Sequence, residues 1–144
     1  MSRHFTLRAA GVPESLELIH DLLEQVWESE SGIHLMDRIR FETAVIEVAS
    51  NIIEHSRPAS TDPIRFLLNL ECSPQRLYAE FQDNAKPAGV NLSVATLPDD
   101  MASTGRGLAL AKVALDEFSY AKQDSGNRWT LLCKRAASPE EAGS

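Results

Sequence analysis

The sequence predicts an α/β two-layer sandwich of the α+β kind, a mostly antiparallel sheet with helices packed on one face. Three observations lead there. The segments follow one another as β-α-α-β-β-α-β-β, strand candidates that are neighbours in sequence are joined by short turns suited to antiparallel hairpins, and each helix candidate carries an apolar stripe. With 144 residues, 43% hydrophobic and 24% charged, the chain is the size of one domain with its own core.

The elements are justified in order. His4 to Arg8 (HFTLR) alternates as a short strand does. Pro13 and Glu14 open a helix to about Trp27, with Leu16, Ile19, Leu22, Leu23 and Val26 on its apolar side. Gly32 marks a break. A long helix runs from about Met36 to Ser56 and stops before Pro58; Ala44, Val45, Val48, Ala49 and Ile52 form its buried stripe. Ser60 to Pro63 reads as a turn. Ile64 to Leu70 (IRFLLNL) and Arg76 to Gln82 (RLYAEFQ) are strands across the short linker ECSPQ. From Asn84 to Thr104 the chain has little periodicity, and a loop of about twenty residues in a small domain is more often functional than idle. Gly105 to Phe118 reads as a helix with Leu108, Ala111, Leu115 and Phe118 inward. Arg128 to Lys134 (RWTLLCK) closes as a strand after the turn DSGN, with Ser119 to Lys122 as its partner. The expected domain is 1–135, and 136–144 is expected to be a disordered tail.

Charge and composition exclude several functions. A net charge of −7 leaves no basic patch to neutralise a nucleic-acid backbone. Cys72 and Cys133 have no CxxC spacing, so buried free thiols are expected rather than a disulfide framework or a zinc site. No signal-peptide core and no run of eighteen apolar residues occurs, which predicts no membrane association and a cytoplasmic location.

Three groups of residues can carry chemistry. Glu47, Asn51 and His55 recur at four-residue steps and so stack on one helix face. An amide oxygen suits magnesium, and a carboxylate one turn away can take a proton from a hydroxyl. The plain alternative is the wet face of a helix. Asp83, directly after a strand, can accept the exocyclic amine of a purine; its plain alternative is turn chemistry. Ser103 to Leu108 (STGRGL) opens a helix, where glycines admit a ligand to the backbone and free N–H groups favour phosphate oxygens. An ordinary helix cap is the alternative there. The run is neither a Walker A loop nor a dinucleotide fingerprint.

In order and spacing these groups resemble a known family. From about His4 to Arg135 the chain is similar to the anti-sigma-factor serine/threonine kinases of bacterial partner-switching systems, which belong to the GHKL ATPase superfamily. The family's E-x-x-x-N pattern, with a histidine four residues on, stands here as EVASNIIEH. Its aspartate motif stands as FQDNAKPAG and its G-x-G-L helix start as GRGLALAK. The resemblance implies a GHKL-type fold and a Mg²⁺- and ATP-dependent kinase with Glu47 as general base and Asn51 as magnesium ligand. It implies Asp83 as acceptor of the adenine amine, with Gly105, Arg106, Gly107 and Leu108 at the phosphates and the preceding loop as an ATP lid. The implied substrate is a serine or threonine of a STAS-domain anti-anti-sigma protein, the implied second partner a sigma factor, and a homodimer is compatible with it. His55 belongs to the pattern without an assigned role. Two positions depart from it. Ala85, at a cofactor-binding position of the family, stands where a glycine lets the backbone approach adenine or adopt positive φ, a costly conformation for alanine, and Ala88 replaces an aromatic. Ala85 favours an alternative reading: a partner-binding module with weak or no nucleotide binding.

Overall fold

The computed structural model describes residues 2–88 and 103–136, except for the side chains of 103–106. The elements come in the expected order: β1 (Arg3–Ala10), α1 (Ser15–Ser29), α2 (Leu35–His55), β2 (Arg65–Cys72), β3 (Arg76–Asp83), α3 (Ser103–Ala114), β4 (Glu117–Gln123) and β5 (Gly126–Lys134). Among the described residues the strands form one antiparallel sheet in the order β1-β2-β3-β5-β4.

Alternation decides which face of the sheet is covered. Phe66, Leu68, Leu70 and Cys72 of β2, Leu77, Ala79 and Phe81 of β3, and Trp129, Leu131 and Cys133 of β5 are buried beneath the helices. The intervening residues, such as Asn69, Glu80 and Thr130, point the other way and are partly exposed. From above, α1 contributes Ile19, Leu22, Leu23, Val26 and Trp27 to the core, and α2 contributes Phe41 and the five stripe residues expected from sequence. Each fully buried Val, Leu, Ile or Phe among them stabilises by about 1.5–3 kcal/mol, and an alanine methyl by less. Trp27 meets Phe41 edge to face at 6.4 Å between ring centroids. Cys72 and Cys133 are free and buried, and burial pushes their thiols up to about 12 and about 11 respectively, with Glu30 adding to the shift at Cys72. No described helix is long and apolar enough to cross a membrane.

The chain departs from the sequence reading at α3. This helix starts at Ser103 and ends at Ala114, so Phe118, expected on its inner face, lies instead in β4. The helix stops early because the residues after it are taken by the sheet. Asp116 N–H donates to the Leu132 carbonyl at 2.9 Å, and its carboxylate accepts the Lys134 N–H at 2.6 Å. Phe118 still faces inward, stacked on Trp129 at 6.4 Å. Arg40 of α2 joins these parts: its Nε donates to the Ala114 carbonyl at 3.0 Å, and its guanidinium pairs with Asp116 at 3.1 Å and Asp37 at 3.3 Å. The Ala136 N–H donates to Asp37 at 2.8 Å. The rest of the expected tail, 137–144, and most of the expected lid, 89–102, lie outside the described residues.

Candidate functional site

The long amphipathic α2 sets the first side of the site. With its apolar stripe against the sheet, Glu47, Asn51 and His55 occupy an adjacent stripe. Four residues of rise separate each from the next, about 6 Å. Asn51 is only 8% exposed, and its Oδ1 has no hydrogen-bond partner among the described residues. A buried carbonyl oxygen without a donor is rare and costs about 1–3 kcal/mol.

The second side is the end of β3. Asp83, 7% exposed, pairs across the sheet with Asn127. Its Oδ1 accepts the Ala85 N–H at 3.0 Å and Asn127 Nδ2 at 2.8 Å, while Oδ2 accepts Trp129 Nε1 at 3.1 Å. A buried charge needs such donors. Three of a carboxylate's roughly four acceptor positions are thus filled, and the fourth is on Oδ2. Gly126 makes this pairing feasible: its φ is +150°, and a Cβ there would lie 1.7 Å from the Asp83 carbonyl oxygen.

Between the two sides runs a cleft of about 490 Å³ lined by Asn51, His55, Asp83, Lys86, Asn127 and Trp129, among others. Its rim is pinned where Lys86 N–H donates to the Arg57 carbonyl at 2.9 Å and Pro58 bridges Ala85. Ala85 is buried, and no described non-glycine residue has positive φ. Ala85 therefore carries no positive-φ strain, and it forms an isolated bridge with Pro58.

Glu47 lies a turn along α2 from Asn51, against α3. A Cβ on Gly107 would come within 2.6 Å of Glu47 Oε2, so only glycine leaves that carboxylate where it is. Burial lifts the Glu47 carboxyl above the usual glutamate value, and the charge of Glu54 pushes the same way. The structure thus brings Asn51 to Asp83 and Glu47 to Gly107, with one turn of α2 joining the pairs. Gly105 and Arg106 sit in the first turn of α3, while the Leu108 side chain is buried in the core and leaves only its backbone for a ligand. His55 lines the cleft, 3.7 Å from the Glu54 carboxylate and with its side chain 31% exposed.

Sequence reasoning missed Asn127, Trp129 and Tyr120. A signal existed: Asn127 is the polar residue at an inward position of a strand whose next inward residues are Trp129, Leu131 and Cys133.

Gly107→Ala separates position from stability. Alanine in a helix gains about 1 kcal/mol over glycine, and the atom it meets is the movable end of Glu47. The melting temperature should hold or rise. If Glu47 acts on a substrate, its displacement should lower turnover about 100-fold; calorimetric melting beside single-turnover kinetics checks both.

An antiparallel sheet backed on one face by helices is an α/β sandwich of the GHKL type. A family model described as histidine kinase-like ATPase domain matches residues 10–133, and the chain belongs to that family. No curated protein matches in sequence. Among solved structures, the RsbU and RsbW domains of Rv1364c from Mycobacterium tuberculosis are similar at 18% identity and a TM-score of 0.63, over 94% of this chain and 34% of that one. This chain therefore spans about a third of that neighbour, and the likeness is one of fold. The histidine kinase domain of the EL346 blue-light activated histidine kinase from Erythrobacter litoralis aligns at 13% identity and a TM-score of 0.47, over 83% of this chain and 59% of that one.

Proposed function

We propose that this domain is a Mg²⁺- and ATP-dependent serine/threonine protein kinase of a partner-switching system, acting on a STAS-domain anti-anti-sigma protein and sequestering a sigma factor. The observation that carries the reading is the orphaned, buried Asn51 Oδ1 on the same cleft as an Asp83 carboxylate with one acceptor position left. Family membership supports use of a nucleotide, and a fold neighbour that contains a domain named RsbW supports the partner-switching class.

The residues present fit the group. Among the described residues no cluster of three or more His, Cys, Asp or Glu is arranged to hold a metal by itself. An amide oxygen as sole protein ligand suits magnesium, which keeps waters and takes phosphates as its other ligands. Bound Mg-ATP would supply the transferable phosphoryl group and the cation that neutralises its charge. Asn51 would hold the metal through Oδ1. Asp83 Oδ2 would accept a base amine and orient it, while the backbone at Gly105 and Gly107 would lie beside the phosphates. Glu47 would take the proton from the substrate's hydroxyl Oγ, which its raised pKa equips it to hold.

The test is incubation with a candidate STAS-domain protein and γ-labelled ATP. Label on the partner's serine or threonine is expected. A tight complex with no label transferred would sink the kinase reading and leave a binding module.

A further inference from the structure

We infer that Asn127, locked by Tyr120, is the positioning residue that sets how strongly this site discriminates a 6-amino purine from one lacking the amine. The inference rests on the nucleotide reading above. It starts from where the Asn127 groups go. Its Nδ2 donates to Asp83 Oδ1 at 2.8 Å and to the Lys86 carbonyl at 2.9 Å, with a longer approach to the Ala85 carbonyl at 3.4 Å. Its Oδ1 accepts the Tyr120 hydroxyl proton, and that hydroxyl accepts the Ala88 N–H at 2.8 Å. Asn127 is 1% exposed, so its hydrogen bond to Asp83 lies out of water, while the Tyr120–Ala88 end of the network reaches the surface. The Tyr120 ring rests on Trp129, centroids 4.6 Å apart, and Trp129 donates to the other Asp83 oxygen.

The consequence is geometric. Asp83 is the last residue of β3, and a carboxylate there can turn about its side-chain torsions. Asn127 and the Ala85 N–H fill Oδ1, and Trp129 takes one position on Oδ2, which leaves a single acceptor position in one direction. Asn127 ties that direction to the backbone of residues 85–88, which form part of the cleft wall. An N–H donor at that point is held; a hydrogen in its place leaves the acceptor unpaired. Without Asn127, Oδ1 keeps only the Ala85 N–H and gains an acceptor position open to water, so the carboxylate is less firmly aimed and the amine loses much of its advantage.

The experiment compares ATP with purine riboside 5′-triphosphate, which lacks the amine, by calorimetry with magnesium. The wild type is expected to favour ATP by about tenfold or more, as for a hydrogen bond to a charged group. In Asn127→Ala the ratio is expected to fall below about threefold. Both nucleotides weakened equally, with the ratio kept, would reduce Asn127 to a structural role and overturn the inference. Equal binding of both by the wild type would overturn the adenine reading of the cleft as well, which separates the two failures. Should Asn127→Ala not fold, Tyr120→Phe decides, since it removes only the hydroxyl and keeps the ring on Trp129. Its ratio is expected to drop about threefold, and a wild-type ratio there overturns the inference.

Discussion

Asn51→Ala is expected to remove magnesium-dependent ATP binding, by about a hundredfold or more, while leaving the protein at least as stable as before. The two halves of this outcome have separate causes. Asn51 Oδ1 is buried and receives no hydrogen bond among the described residues, so its deletion removes an unsatisfied acceptor that costs about 1–3 kcal/mol. Alanine also has the better helix propensity, by about 0.5 kcal/mol. A residue kept for the fold would give the opposite sign. Loss of a metal ligand exceeds the 10–100-fold typical of losing a ligand's supporting hydrogen bond, hence about a hundredfold as a floor. Titration calorimetry with magnesium and with EDTA, beside thermal melting, reads both. Unchanged ATP affinity in magnesium would remove Asn51 from the metal role.

Glu47→Gln is expected to cut phosphoryl transfer by about 10²–10⁴-fold and to leave ATP affinity within about twofold. Glu47 is not among the residues lining the cleft between Asn51 and Asp83, so the substitution leaves that part of the site intact. Its raised pKa also fixes two pH dependences. A general base works ionised, so wild-type transfer should rise with pH through a pKa above the usual 4.5. For stability the sign is the reverse of the ordinary carboxylate case. The folded state binds the Glu47 proton more tightly than the unfolded state, because burial first and Glu54 second disfavour the charge. The resulting penalty is present in full above the folded pKa and vanishes as pH falls below the unfolded value. Glu47→Gln should therefore melt higher than wild type at pH 7, with the gap closing near pH 4 and below. Transfer at the wild-type rate in Glu47→Gln would exclude it as the base.

The site was legible in part, and the part follows from distance along the chain. Glu47, Asn51 and His55 could be read because helix geometry maps a spacing of four directly onto one face. Gly107 was visible as a glycine at a helix start, but its contact with Glu47 was not, since nothing local says that α3 packs across α2 at that point. The donors to Asp83 were out of reach for the same reason. Asn127 and Trp129 lie 44 and 46 residues further on, and only the register of β5 on β3 brings them to the carboxylate. The early end of α3 also escaped, because Phe118 fits a helical stripe as well as a strand, and pairing with β5 decided for the strand. At Ala85 the sequence pointed to a positive-φ cost that does not arise in the fold, where Ala85 bridges Pro58, 27 residues earlier.

By itself the sequence determined the order of the elements, the buried stripes of the first two helices and of the strands, and which acid, amide and glycines to look for. Those depend on periodicities of two and 3.6 residues and on backbone chemistry that each residue carries locally. Only the tertiary structure decided that Asn51 Oδ1 would be buried without a donor among the described residues, that Asp83 would keep one acceptor position, and that Glu47 would fill the space a side chain at residue 107 needs. Each of these is set by which distant atoms arrive to satisfy or crowd a polar group, and that depends on strand register and helix packing rather than on any local pattern.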